Sequence, residues 1–240
     1  MRKTVLITGG AQRVGAALSR FFAQNGWNVV IHYNRSSDVA RELSKELSGI
    51  YPEQYFPVVW CNLSEFPEKM IEFFNHLPQE LNSIDVLINN ASVFDPGVLS
   101  DTTPELLKSQ MSVNFEAPLF LMQSFVNCFK SGVIVNVIDT RVTENSFSHA
   151  AYSISKKALM HLTKMAALEW APDVRVNAVA PGPVLPPPGK TDDYLHAVIK
   201  ETPLKKQVKL DNLSESVYFL VENDSITGQI IFCDSGTHLT

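Results

Sequence analysis

Residues 133–156 read VIVNVIDTRVTENSFSHAAYSISK, from Val133 to Lys156, and the pattern changes halfway along. Val133, Ile134, Val135, Val137 and Ile138 form a branched apolar run of strand length, the mark of a strand buried on both faces. The second half opens a helix, in which Tyr152 and Lys156 lie four residues apart and so share one face. An ammonium close to a phenol favours the phenolate and lowers the phenol pKa. Tyr152 is therefore expected to exchange a proton near neutral pH, as general acid–base chemistry requires. Asp139 ends the strand, at the sheet edge where open α/β sheets collect ligands. A bare Tyr-x-x-x-Lys is usually a surface pair, so the rest of the chain has to decide.

Composition narrows the class. The chain has 240 residues, 45% hydrophobic and 19% charged, which suits one large globular α/β domain. A net charge of −5 argues against nucleic acid or an anionic membrane as partner. No apolar run approaches the roughly 20 residues of a membrane span, and the apolar part of MRKTVLITGG is too short for a signal peptide. Cys61, Cys128 and Cys233 are scattered and odd in number, as expected of buried, reduced thiols in a cytoplasmic protein. The six histidines show no ligand spacing, so no metal site is expected.

Outward from the central stretch, strands and helices alternate. Thr4 to Thr8 is a strand running into Gly9-Gly10-Ala11-Gln12-Arg13-Val14-Gly15 and a helix through Phe22. Strand, glycine turn and helix make the context of a dinucleotide loop, because glycine admits close approach of a pyrophosphate to free N–H groups. A second strand, Asn28 to Tyr33, ends in Asn34-Arg35-Ser36-Ser37. NAD-binding units place an acidic residue there; a guanidinium with hydroxyls suits a 2′-phosphate, so the expected cofactor is NADP(H), against the alternative of an ordinary solvated loop. Helix 38–47 and strand Gln54 to Trp60 follow, with Ser64 as N-cap of a helix from Glu65 to His76.

Ile84 to Ile88 is the fourth strand and leads into Asn89-Asn90-Ala91-Ser92-Val93-Phe94, where amides can hold a cofactor or neighbouring backbone. Pro104 to Lys130 is helical with a break near Pro118 and carries Asn114 mid-helix, where an internal hydrogen bonder is the simple reading. Beyond the central helix, which runs to Trp170, strand Val174 to Val179 enters the proline-rich 180–189, either a substrate cover or a rigid connector. Helices at Asp193 to Lys200 and Leu213 to Val221 and a strand at Gly228 to Cys233 complete one domain over residues 1–240. The alternation predicts an α/β fold: a single doubly wound parallel sheet, Rossmann-type, with helices on both faces.

The set Thr8-Gly9-x-x-x-Arg13-x-Gly15, Asn89-Asn90-Ala91, Asn114, Tyr152-x-x-x-Lys156 and Pro181-Gly182 resembles the short-chain dehydrogenase/reductase family over essentially the whole chain. The resemblance implies that Tyr152 is the catalytic acid, that Lys156 lowers its pKa and holds the nicotinamide ribose, and that Asn114 supports a proton-relay water. Arg13 at the usual middle glycine and Asp139 at the usual serine, with His32-Tyr33-x-Arg35-Ser36 and Ser92-x-Phe94, are similar to the pteridine reductase subgroup. That likeness implies cofactor contacts from Gly9, Arg13, Val14, Gly15, Tyr33, Asn34, Arg35, Ser36, Asn62, Leu63, Asn89, Ala91, Tyr152, Lys156, Pro181 and Gly182. It implies substrate contacts from Ser92, Phe94, Asp139 and Tyr152, with Phe94 stacking a pterin and Asp139 a catalytic residue working beside Tyr152. Asn62 replaces an aspartate that meets adenine, and an amide oxygen can still accept that bond. A carboxyl suits an amino-substituted, nitrogen-rich ring.

The expected activity is NADPH-dependent reduction of dihydropterins, with dihydrofolate a further candidate substrate. A carbonyl reductase, such as a 3-oxoacyl-carrier-protein reductase, is the alternative; Asp139 opposes it, since an anion is a poor donor to a ketone oxygen. A non-enzymatic NADP sensor would not need Asn114, Tyr152 and Lys156. The family pairs its two long central helices, and the small residues from Ala158 to Ala167 suit that, so a homotetramer is expected.

Overall fold

The computed structural model describes residues 2–65, 73–77, 81, 83–187 and 189–240. Its strands are β1 (Thr4–Ile7), β2 (Asn28–Tyr33), β3 (Val58–Trp60), β4 (Val86–Asn89), β5 (Gly132–Val137), β6 (Val174–Pro181) and β7 (Ile230–Cys233). They form one seven-stranded sheet in the order β3-β2-β1-β4-β5-β6-β7, every pairing parallel. The described helices are α1 (Arg13–Gln24), α2 (Ser37–Ile50), α3 (Pro104–Met111), α4 (Ala117–Phe129), α5 (Ala150–Glu169), α6 (Asp192–Glu201) and α7 (Leu210–Glu222).

The period of two in each strand divides the core between the two faces. Val5, Ile7, Val29 and Ile31 face α1, α2 and α7 through Leu18, Phe22, Leu43, Leu47, Leu213 and Val217. Leu6, Val30, Leu87 and Ile134 face α4 and α5 through Leu121, Met122, Phe125, Ala166 and Ala167. The strand order reverses between β1 and β4, so a crevice opens beyond the carboxyl ends of those strands. The glycine loop and the Asn89–Phe94 segment both leave the sheet there.

Several expectations need correction. β3 pairs only at Val58–Trp60, because the preceding Pro57 has no N–H and Gln54–Phe56 run beside β2 without a continuous ladder. The break expected near Pro118 is a π-helical turn, Ser112–Glu116, with Asn114 fully buried inside it and Pro118 in the first turn of α4. Cys61 is buried as expected, but Cys128 is exposed and Cys233 half-buried. Ala166 and Ala167 pack into the chain's own core, so the outer face of α5 carries Ile154, Met165 and Leu168 instead. Of the helix expected from Glu65 to His76, residues 66–72 lie outside the described residues, and Phe73–His76 is a 3-10 turn.

Candidate active site

β5 and α5 bring the central stretch together. Lys156 Nζ donates to the Val137 carbonyl at 2.9 Å, which docks the first turns of α5 on the end of β5. Asp139 lies two residues beyond that end and caps the 3-10 turn Thr140–Val142, its Oδ1 accepting from the Arg141 N–H at 2.8 Å. Its other oxygen, Oδ2, accepts from the Tyr152 hydroxyl at 2.7 Å.

Burial raises the Tyr152 pKa well above 10, and the charge and hydrogen bond of Asp139 raise it further; Arg141 and Ser92 oppose this. The spacing of Tyr152 and Lys156 in sequence predicts the reverse. Lys156 Nζ stands 5.8 Å from the Tyr152 ring centroid, and burial lowers its own pKa to about 8, with Asp139 opposing. Tyr152 is thus held as a protonated phenol, fit to act as an acid.

Asn114 is a clamp. Its Oδ1 accepts from Ser92 Oγ and from the Val93 N–H, both at 2.9 Å, while its Nδ2 donates to Val93 O at 3.0 Å and Ser155 Oγ at 3.1 Å. Ser155 in turn donates to the Tyr152 carbonyl at 2.7 Å. The π turn therefore locks the Ser92–Phe94 segment to the helix that carries Tyr152, as π turns at functional sites often do. Phe94 meets the Tyr152 ring edge to face, with centroids 4.6 Å apart at 85°. It also stacks on His149, with centroids 4.2 Å apart at 7°.

The glycine loop is built for close approach. Gly9 has φ of +61°, and a Cβ on Gly15 would stand 2.0 Å from the Gly9 carbonyl oxygen. Gly9 N–H donates to His32 Nδ1 at 3.0 Å, so Nδ1 is the acceptor and Nε2 carries the proton, directed to the Cys61 carbonyl at 3.0 Å. Asn90 Nδ2 donates to Thr8 O at 2.8 Å and so holds the same loop from β4. Asn89 instead donates to Asn136, which donates to Thr163 on α5, an internal chain joining β4, β5 and α5.

Arg13 adopts φ of +52°, where the family has glycine, and its guanidinium donates to the Pro186 carbonyl at 2.6 Å. It bridges the glycine loop to the proline-rich loop over the crevice. Val14 is half-buried behind it. At the end of β2, Tyr33 is half-buried, Asn34 and Arg35 are exposed, and the Ser36 hydroxyl makes no capping bond to α2. No carboxylate stands among these four residues, which fits a 2′-phosphate rather than a bare ribose. Asn62 Oδ1 already accepts from Asn34 Nδ2 and from the Ser64 N–H and hydroxyl, so an adenine amino group would compete for it. Leu63 is buried and Ala91 borders Gly9. Pro181 ends β6, and a Cβ on Gly182 would stand 2.6 Å from Asp234 Cα. With its glycine cradle, open 2′-phosphate end and Lys156, the crevice fits a dinucleotide.

His32 sets a pH limit on this loop. Burial lowers its pKa from 6.5 to about 4, partly offset by the Cys61 carbonyl. Between those values the unfolded chain binds more protons than the folded one, so stability falls as pH drops through 6.5 and levels off below about 4. From pH 7 to pH 5, His32 should remove about 2 kcal/mol of unfolding free energy. His32→Asn should flatten that part of the profile in urea titrations; an equally steep profile would assign the loss to other groups.

Three participants carry no signal in the sequence pattern. His149 and Arg141 lie close in sequence to motif positions but match no motif themselves. Asp234 lies in the ending that fits the family loosely, yet its buried carboxylate accepts from the Oγ1 of Thr140, the residue after Asp139, at 2.8 Å and from the His238 N–H at 2.7 Å. His149 is the N-cap of α5 with φ of +50°, so helix spacing from Tyr152 does not flag it.

Residues 3–193 match the family model described as short chain dehydrogenase. The chain is 28% identical over 249 residues to a 3-oxoacyl-[acyl-carrier-protein] reductase from Rattus norvegicus, each covered in full. It is 26% identical over 247 residues to the FabG 3-oxoacyl-[acyl-carrier-protein] reductase of Staphylococcus epidermidis, again over all of both. Among solved structures it is similar to the FolM alternative dihydrofolate reductase 1 of Brucella canis complexed with NADP, with a TM-score of 0.90 and 31% identity over 99% of this chain and 95% of that one.

Proposed function

The chain belongs to the short-chain dehydrogenase family, and from that premise we propose that it is an NADPH-dependent reductase of dihydropterins, with dihydrofolate as a further substrate. The observation that carries this reading is the Asp139 carboxylate 2.7 Å from the Tyr152 hydroxyl, with Phe94 packed on the same ring. Bound NADPH supplies the hydride for one C=N bond of the pterin. The chain's own groups supply the proton and the orientation. Tyr152, kept protonated by burial and by Asp139, gives its proton to the ring nitrogen. The Lys156 ammonium, buried 5.8 Å from the ring centroid, steadies the negative charge left on the phenol. Each Asp139 oxygen can accept a second hydrogen bond, so the carboxylate can hold N–H groups of an amino-substituted heterocycle. Phe94 offers a flat bicyclic ring an aromatic wall.

The sequence relatives support a second reading, reduction of a 3-oxoacyl thioester. Asp139 opposes it: a ketone oxygen needs donors, and here the hydroxyl that would donate is directed at a carboxylate. The similar FolM complex with NADP supports both the cofactor and a pterin-type substrate. Comparing kcat/KM for dihydrobiopterin with that for a 3-oxoacyl thioester tests the reading; preference for the thioester would refute it.

Arg35 and Ser36 are the residues that would select NADPH. A charge-assisted bond to phosphate is worth roughly 1.5–3 kcal/mol, so Arg35→Ala should raise KM for NADPH about tenfold or more and leave that for NADH nearly unchanged. Equal use of both cofactors by the wild type would sink this assignment. For assembly we propose a homotetramer in which Ile154, Met165 and Leu168, exposed on α5, pack against a second copy. Light scattering at micromolar concentration should give four times the monomer mass of 26.7 kDa; the monomer mass would rule it out.

A further inference from the structure

Among the described residues, three buried side-chain polar atoms have no hydrogen-bond partner: Asn89 Oδ1, His149 Nδ1 and Ser153 Oγ. Asn89 still donates to Asn136 and belongs to the internal chain between strands. The other two are neighbours. Ser153 N–H donates to the His149 carbonyl at 2.9 Å, so the pair spans the first turn of α5. At about 100° per residue, Tyr152, Ser153 and Lys156 fall within an arc of about 100° on one face of α5, and His149, its N-cap with φ of +50°, stands directly before the first turn. That face is the one turned to Asp139 and the end of β5, as the Tyr152 and Lys156 hydrogen bonds show. A buried polar atom left unpaired is destabilising, so two of them flanking the acid demand a reason.

We propose that His149 and Ser153 form a substrate subsite that hydrogen-bonds the hydroxyl groups of a substituent on the pterin ring. This rests on the pterin reading of the same site. Asp139 and Tyr152 engage the ring's nitrogens, which leaves the substituent for the remaining polar atoms on this face. A hydroxyl matches the pair chemically, because it donates to one atom while accepting from the other. Burial and the Arg141 charge lower the His149 pKa, so the imidazole is neutral at pH 7 and Nδ1 can take either role. The face-to-face stack on Phe94, centroids 4.2 Å apart, holds the imidazole beside the aromatic wall against which the ring would lie.

The test compares 7,8-dihydrobiopterin, whose side chain carries hydroxyls, with 6-methyl-7,8-dihydropterin, which has none. The wild type should favour the first about tenfold in kcat/KM, as expected for one hydrogen bond. His149→Phe keeps a ring for Phe94 but removes Nδ1, and Ser153→Ala removes the hydroxyl. In each, the ratio between the two substrates should fall to about one or two. Ser153→Ala deletes an unpaired buried hydroxyl, so its Tm should not drop. A ratio preserved in both variants, or a wild type that does not discriminate, would overturn the subsite while leaving the pterin reading intact; ordered water would then serve the pair. A wild type inactive on both pterins would overturn the reading and the subsite together.

Discussion

Tyr152→Phe should lower kcat for every substrate by roughly a hundredfold to ten-thousandfold, the range typical of a lost general acid. The substitution keeps the ring that meets Phe94 and removes only the hydroxyl, so packing around α5 should hold. Asp139 retains its bond from the Arg141 N–H and is not stranded without a partner. NADPH affinity, followed by fluorescence titration, should change little, because the loss lies in the proton and not in the cradle of Gly9 and Gly15. Burial and Asp139 hold the phenol pKa high, so the wild-type rate should show no rise across pH 6 to 9 from phenolate formation. A Tyr152→Phe variant retaining a tenth of the activity would mean that the proton comes from elsewhere, with Asp139 the first group to examine.

Asp139→Ser is the second large effect, and it separates charge from architecture. Serine can also cap the Thr140–Val142 turn, so the local backbone should survive the change. What disappears is a carboxylate that accepts from Tyr152 and would accept from an amino-substituted heterocycle. Losing a hydrogen bond to a charged group costs about 1.5–3 kcal/mol, so kcat/KM for dihydropterin should fall roughly tenfold to a hundredfold. Activity on simple ketones should persist or rise, since a hydroxyl donates to a carbonyl oxygen and the phenol is released from its carboxylate. If Asp139 is only a cap, the serine variant will reduce dihydropterin at the wild-type rate.

Much of this is legible in the chain, and the remainder has physical reasons for being hidden. β2 is a continuous buried run, Val29 to His32, and it ends at Tyr33 where the polar Asn34-Arg35-Ser36 begin. The π turn at Ser112–Glu116 reads in sequence only as a break, since one extra residue per turn barely disturbs a long apolar pattern. Tyr152, Lys156, Asp139 and Phe94 can be named from residue type and spacing. The direction of the Tyr152 pKa cannot: a lysine four residues away suggests a lowered value, whereas burial and a carboxylate 2.7 Å distant dominate in the folded chain. His149 is invisible for a related reason, as its importance lies in a stack with Phe94, far earlier in the sequence. Likewise, Asp234 reaches Thr140 across ninety-four positions, a contact only the β6–β7 pairing brings about.

The most direct measurement is NADPH oxidation by the purified protein with dihydrobiopterin, dihydrofolate and a 3-oxoacyl thioester assayed side by side. The carboxylate beside the catalytic phenol leads to the highest kcat/KM for dihydrobiopterin, lower but measurable turnover of dihydrofolate, and little reduction of the thioester. Efficient turnover of the thioester with none of either pterin-type substrate would contradict the assignment of Asp139 as a substrate-binding group and with it the proposed activity.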